Sequence, residues 1–312
     1  MLEVKLFGAG AACYYDRPMD GFPSHQTYQV LCYLLLNREH KLNRERLATV
    51  FWGNYATQAS RKYLRNALWK LRSIFQSVGA ELENYIQVDD DSLEFQKSSL
   101  YRLDVEVFES LLAGTRTVSG ENLRPEQANQ LEQAVNLYGG DLLEGVEEEW
   151  CLYERERLSL MHLAAMSKLI VYQRFHGNFS AGLEMGERIL AYDNTRESVH
   201  REIMLLYWLN GEPQMALAQY NRCVQILQRQ IGVPPTEETN TLYDEMLHHR
   251  FQPSRELYMP KIEQEGGRRN SVDEVTENAL QRIHHLMKVV EETNRELQHL
   301  EELIRHSRLN CE

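Results

Sequence analysis

"SRKYLRNALWKLRSIF", residues 60–75, carries five basic side chains and no carboxylate. At about 100° per residue, Leu64, Leu68, Leu71, Phe75 and Val78 fall within about 40° of one line, with Ala67 and Ile74 beside them. That is the buried stripe of a helix expected to start near Thr57 or Ser60 and to stop at Gly79. Arg61, Arg65 and Arg72 lie together on the flank of the opposite half. Lys62, Asn66, Trp69 and Ser73 lie further round it, with Lys70 at the far edge.

A solvated helix face is the plain reading of such a surface. Solvated faces usually interleave Glu with Lys, because pairs four residues apart stabilise a helix by a few tenths of a kcal/mol. Here three arginines repel one another with no such relief, an arrangement that makes sense where phosphates supply the missing charge. Arginine's planar fork grips phosphate or the N7 and O6 acceptors of guanine, and an Asn amide suits adenine. The candidate base readers are Arg61, Lys62, Arg65, Asn66 and Trp69, and the candidate phosphate contacts are Arg44, Arg46, Ser60, Lys70 and Arg72. For Trp69 a second reading stays open, packing beneath the hairpin that follows.

Working outward, "LEVKLFG" alternates apolar and polar residues and runs into "AACYYD", the pattern of a short hairpin. Gly21 and Pro23 break the chain, and Ser24 can cap a helix through "HQTYQVLCYLLLN". Asn43 can cap a second helix, "RERLATVFW", which Gly53 ends. After the basic helix, "YIQVDDDSLEF" gives two short strands around an Asp-rich turn. Hairpin, three helices and hairpin make a winged helix-turn-helix, with the third helix for the major groove.

"LFG" followed by "YQVLCYLLLNREHKLNRERLATVFWGNYATQASRKYLRNALWKLRSIF" resembles the OmpR-type winged helix at the front of SARP-type transcriptional activators. The recurring third-helix motif is here Ser60-Arg61, Leu64-Arg65, Leu68 and Leu71-Arg72, with Ser60 where Ala is usual. The resemblance implies that Arg61, Arg65 and Arg72 face double-stranded DNA and that Arg44 and Arg46 hold its backbone. The Asp89-Asp90-Asp91 tip departs from the pattern. Phosphate repels it, so this wing is expected to add little minor-groove contact.

Residues 101–250 are acidic, with 13 basic and 23 acidic side chains, against 12 and 11 in residues 1–100. The acidity of the chain, net −12, therefore does not exclude a polyanion from the first part. Gly177 and Gly211 stand 34 residues apart, each closing one apolar helix and opening another, the period of tetratricopeptide repeats. Gly182 and Ala216 take the small-residue position where paired helices touch; Tyr220 takes the aromatic one, where the first repeat has Gly186. Helices from Glu126 to Tyr138 and from Trp150 to Phe175 are expected to stack on these repeats. Glu147, Glu148 and Glu149 suit the positive end of the Trp150 helix. Trp150, Tyr207 and Tyr220 read as packing rather than a ligand cage. Glu154, Arg155 and Arg157 either pair with neighbouring helices or orient the winged helix.

"LYGGDLLEGVEEEWCLYERERL", residues 137–158, with "NTRESVHREIMLLYWLNGEPQMALAQYNRC" and "IGVPPTEETNTLYDEM", is similar to the bacterial transcriptional activator domain that follows the winged helix in SARP-type regulators. This second resemblance implies binding at promoter direct repeats near the −35 region and recruitment of RNA polymerase, including its sigma factor.

Residues 251–271 read as a linker, where Arg268-Arg269 beside Ser271 suits a plain joint better than an anion site. In residues 272–309, Ile283, Val290, Leu297 and Ile304 take the a positions of a heptad repeat, and Leu286 and Leu300 take d. That favours a parallel homodimeric coiled coil, the rival being one helix docked on the body.

No apolar run approaches the ~20 residues of a membrane span, and "MLEVKLFGAG" lacks the basic and apolar regions of a signal peptide. The five scattered cysteines show no metal spacing, so reduced thiols and a cytoplasmic location are expected. Phosphate-binding glycine loops and a G-x-S-x-G elbow are absent, and no cofactor is called for. The sequence therefore describes a mainly α protein: a winged helix at 1–100, a tetratricopeptide-like body at 101–250, the linker and a C-terminal helix. Its expected function is sequence-specific transcription regulation. The rival is a helical-repeat scaffold whose first domain binds protein.

Overall fold

A computed structural model describes residues 1–20, 26–248 and 250–251. The expectations for Gly21, Pro23 and the Ser24 cap, for the linker beyond residue 251, and for the helix at 272–309 lie outside the described residues.

Strand β1 (Leu2–Lys5) pairs antiparallel with β2 (Ala11–Tyr14), Leu2 opposite Tyr14 and Lys5 opposite Ala11. Its alternation turns Leu2 and Val4 inward, as the sequence pattern requires. Tyr15 and Asp16 both adopt positive φ, which gives the tight turn into β3 (Arg17–Pro18). Then come α1 (Gln26–Leu36), the two-residue β4 (Leu42–Asn43), α2 (Arg44–Trp52) and α3 (Thr57–Ser77). The Asn43 side-chain oxygen accepts from the Glu45 and Arg46 amides and so caps α2 as expected. Leu64, Ala67, Leu68, Leu71 and Phe75 form the buried stripe of α3. Fully buried side chains such as Leu71 and Phe75 each contribute about 1.5–3 kcal/mol.

Strands β5 (Ile86–Val88) and β6 (Ser92–Phe95) make the wing, in a sheet ordered β4-β6-β5. The chain then returns as β7 (Tyr101–Leu103), parallel to β1, giving the order β3-β2-β1-β7. The expected boundary after residue 100 thus falls just before a strand that completes the first sheet.

The helical body comprises α4 (Asp104–Ala113), α5 (Pro125–Leu137), α6 (Glu149–Phe175), α7 (Phe179–Tyr192), α8 (Glu197–Leu209), α9 (Pro213–Gln230) and α10 (Glu237–Leu247). Gly177 and Gly211 sit between paired helices at φ of 73° and 82°, where other residues are strained. A Cβ on Gly182 would stand 3.0 Å from Leu206, and one on Gly186 2.7 Å from Ile203. Ile203 fills the space that an aromatic side chain at 186 would need.

The two parts share one hydrophobic cluster that runs from Leu2 to Leu206. Its polar seam is specific. The Asp104 carboxylate accepts the Leu6 amide at 2.8 Å and the Phe7 amide at 3.0 Å. Gly8 donates to the Asp141 carbonyl, and Leu143 and Glu144 donate to the Leu6 and Gly8 carbonyls, each at 2.8 Å. The Gly140-Asp141-Leu142-Leu143 segment is therefore a backbone latch for residues 6–8. Arg155 holds that latch by donating to the carbonyls of Leu142, Leu143 and Val146, each at 2.8 Å. Beside it, Trp150 packs on Tyr33 and Phe51, and Glu109 joins Arg38 of the winged helix at 2.6 Å to Arg157 at 2.7 Å.

Candidate nucleic-acid interface

The α3 axis spans about 30 Å at 1.5 Å per residue, and the half that faces away from the core carries basic, amide and aromatic side chains and no carboxylate of its own. Arg61, Lys62, Arg65, Asn66, Trp69, Lys70 and Arg72 are all exposed on it. Trp69 is 65% exposed, so it does not pack beneath the wing. Tyr63 extends this surface to the α2–α3 turn, where its ring meets that of Tyr55 at 5.1 Å. Those two aromatics were not among the sequence candidates.

Ser60 is placed differently from its expected role. It is buried, and its hydroxyl donates to the Trp52 carbonyl at 2.8 Å, so it ties α3 to the end of α2 and has no free face for phosphate. The helix angles carry that signal, since Ser60 falls on the same side as Leu71 and Val78.

The expectation that the arginines go without relief also needs correction. Arg61 pairs with Glu45 at the start of α2, and Arg72 pairs with Glu83 at 2.5 Å just beyond α3. Both carboxylates come from the winged helix and from outside α3, so the spacing along α3 gave no sign of them. Arg44 is half-buried and donates to the Asp89 carbonyl at 2.9 Å. Among the described residues, Arg46, Lys62, Arg65 and Lys70 have no ion-pair partner. These four are the available cations.

The wing's acidity is partly absorbed. Lys41 donates to Asp89 at 2.7 Å, Gln87 and Ser92 donate as well, and together they hold that carboxyl down at about 2. Asp90 and Asp91 stay exposed and, with Glu45, Arg61 and Arg65, line an open groove between α2, α3 and the wing. The groove thus has a cationic floor and an acidic rim.

Among the described residues, no group of three or more His, Cys, Asp or Glu is placed to hold a metal ion. No described helix is long and apolar enough to cross a membrane. Cys13, Cys32, Cys151 and Cys223 are free thiols.

A winged helix latched onto a helical-repeat body, with a basic third helix turned outward, defines a class of two-part regulatory proteins. Residues 103–247 match the bacterial transcriptional activator domain. The transcriptional regulatory protein MoaR1 of Mycobacterium tuberculosis is 22% identical over 254 residues, 80% of this chain and 81% of its own. MoaR1 of Mycobacterium bovis gives the same values. The fold is like that of Mycobacterium tuberculosis EmbR, solved in complex with a low affinity phosphopeptide. That likeness has a TM-score of 0.68 at 18% identity, and covers 82% of this chain and 66% of EmbR, just under two thirds of its length. The chain is therefore similar to the activator domain of SARP-type transcriptional regulators over residues 103–247, and to a transcriptional regulatory protein over most of its length.

Proposed function

We propose that the protein is a sequence-specific DNA-binding regulator that lays α3 in the major groove and acts as a transcriptional activator. The observation that carries this reading is Arg65, exposed at the middle of the basic face with no carboxylate partner among the described residues. Lys62, Asn66 and Trp69 flank it as further base-edge or sugar contacts, and Arg46 and Lys70 meet phosphates. Arg61 and Arg72 are withheld by Glu45 and Glu83 and reach phosphate only when those carboxylates are removed. The major groove, about 12 Å wide, accepts one such helix. By family likeness, the protein binds promoter direct repeats in the cytoplasm and recruits RNA polymerase with its sigma factor. The heptad residues between 279 and 304 supply self-association in this reading, and truncation after residue 270 then halves the mass in solution.

Polarisation titrations against DNA from upstream of its own gene test the proposal. Two phosphate contacts, Arg46 and Lys70, give a slope of log K on log salt of about −1.8, since each phosphate contributes about −0.9. Arg65→Ala weakens the specific site by ~1–3 kcal/mol and relaxes base preference, while Arg222→Ala on α9 changes neither. A slope near zero, or equal losses from both variants, favours the protein-binding scaffold.

A further inference from the structure

Helix α6 is buried on most sides through its second half, where Leu163, Ala165, Met166, Leu169 and Ile170 enter the core. Its first three turns are not buried all round. Leu152, Tyr153 and Leu160 are 46%, 73% and 48% exposed. Tyr192 of α7, whose hydroxyl accepts from Ser159, adds a fourth large side chain at 54%. At about 100° per residue, Glu149, Leu152, Tyr153, Glu156 and Leu160 fall within about 100° of arc and form one face. The core uses the other sides of these turns, through Cys151, Leu158 and Trp150. Glu149 and Glu156 lie within this face and Glu147 and Glu148 just precede it, and none of the four has an ion-pair partner among the described residues. The nearby cations are already engaged: Arg155 by the latch carbonyls, and Arg157 by Glu109 and Glu154. The face interleaves large apolar side chains with unpaired carboxylates: Glu149 and Glu156 lie between Leu152 on one side and Tyr153 and Leu160 on the other.

We propose that this face of α6 docks a helix of a different protein, one that combines leucine-like side chains with several lysines or arginines. The stripe from Leu152 to Leu160 runs about 12 Å along the axis, the length over which two helices mesh ridges into grooves. Leu152, Tyr153 and Leu160 supply the apolar anchors, and the interleaved glutamates steer a cationic partner and reject anionic ones, nucleic acid included. A two-fold pairing of this face with a second copy would set the same glutamates against each other, so a cationic partner fits better than self-association. The surface lies on another helix from the DNA-reading residues and needs no DNA.

The test uses the full chain and a fluorescein-labelled peptide of about 18 residues, five helical turns, with leucines and lysines interleaved along one face. A control peptide has the same composition in an order that scatters the leucines. The amphipathic peptide binds and the control binds far more weakly. Tyr153→Ser with Leu160→Ser weakens binding by about tenfold or more. Glu148→Gln, Glu149→Gln and Glu156→Gln together slow association and flatten the salt dependence. The Ser variant keeps the parent's melting temperature and DNA affinity, because its altered side chains are exposed, and the Gln variant keeps its DNA affinity and melts at most a few degrees lower as the start of α6 loses two carboxylates. The proposal is overturned by any of four results: no binding to the full chain, equal binding of the control peptide, indifference to both variants, or a halved solution mass in the Ser variant, which would make a second copy the occupant. Loss of DNA binding with peptide binding retained would instead count against the α3 reading alone.

Discussion

The ring of Trp150, in the first turn of α6, meets the ring of Tyr33 on α1 edge to face, with centroids 5.5 Å apart. Phe51 of α2 packs on the same indole at 5.7 Å, so one side chain of the helical body touches two of the three helices beneath the basic surface. Trp150→Ala should lower stability by about 2–3 kcal/mol, at the low end for a large aromatic because the ring is half-buried. Calorimetry should show a fall in melting temperature of roughly 5 °C or more, and polarisation a weaker complex with DNA as α2 loosens under α3. An unchanged melting temperature would show that the contact does not couple the two parts.

Glu45 holds Arg61, and both side chains are more than half exposed. Their pairing therefore adds little to stability, but it competes with phosphate for the guanidinium. Glu45→Gln should leave the melting temperature unchanged and tighten DNA binding several-fold at low salt. The slope of log K on log salt should steepen by about 0.9, one more phosphate. A slope that stays put would place Arg61 outside the interface.

Features coded within one element were legible in the sequence. The α3 stripe, the Asn43 cap and the glycines at 177 and 211 all rest on spacing or backbone geometry that a few neighbouring residues determine. Partnerships across long separations were not. The parallel pairing of β7 with β1 joins Leu2 to Tyr101 through strands too short to announce themselves. Glu45 and Glu83 reach α3 from outside it, so helix angles could not reveal them. Ser60 is a different case: its angle put it with the buried stripe, and its appearance in a basic motif outweighed that signal. Arg155 and Arg157 were visible as charged positions, but the carbonyls and carboxylate they serve are set by tertiary packing.

Arg38 is almost wholly buried, and Glu109 is its nearest carboxylate, shared with Arg157. Burial works to raise the Glu109 carboxyl, but hydrogen bonds and charge from Arg38 and Arg157 outweigh it and hold the group below the ordinary carboxylate range. Glu109→Gln leaves a buried guanidinium poorly compensated, since Glu106 stands off at 3.5 Å. The cost should be about 3 kcal/mol by urea unfolding, the lower end for breaking a buried pair. Replacing both partners, Arg38→Met with Glu109→Leu, should recover most of it, because desolvation of both charges then disappears. A double variant no better than the single would assign the loss to shape instead of charge.

His162 lies stacked on Tyr138, centroids 4.1 Å apart, with Nδ1 lacking a hydrogen-bond partner among the described residues. Burial first, and then the charge of Arg188, push its imidazole down to about 4 from the usual 6.5. As pH falls, the unfolded chain takes up this proton before the folded chain does. Stability that is complete above pH 6.5 is therefore lost progressively down to pH 4, by about 3 kcal/mol. Burial depresses His200 in the same direction and adds to the slope. Glu109 acts in a lower window, below about pH 4.3, because a depressed carboxyl is lost only as acid reaches it. His162→Phe keeps the stack and removes the titration, so urea midpoints between pH 6.5 and 4 should decline less steeply, with the His200 share remaining. An identical decline in parent and variant would mean that this imidazole accepts its proton as readily in the folded chain as in the unfolded one.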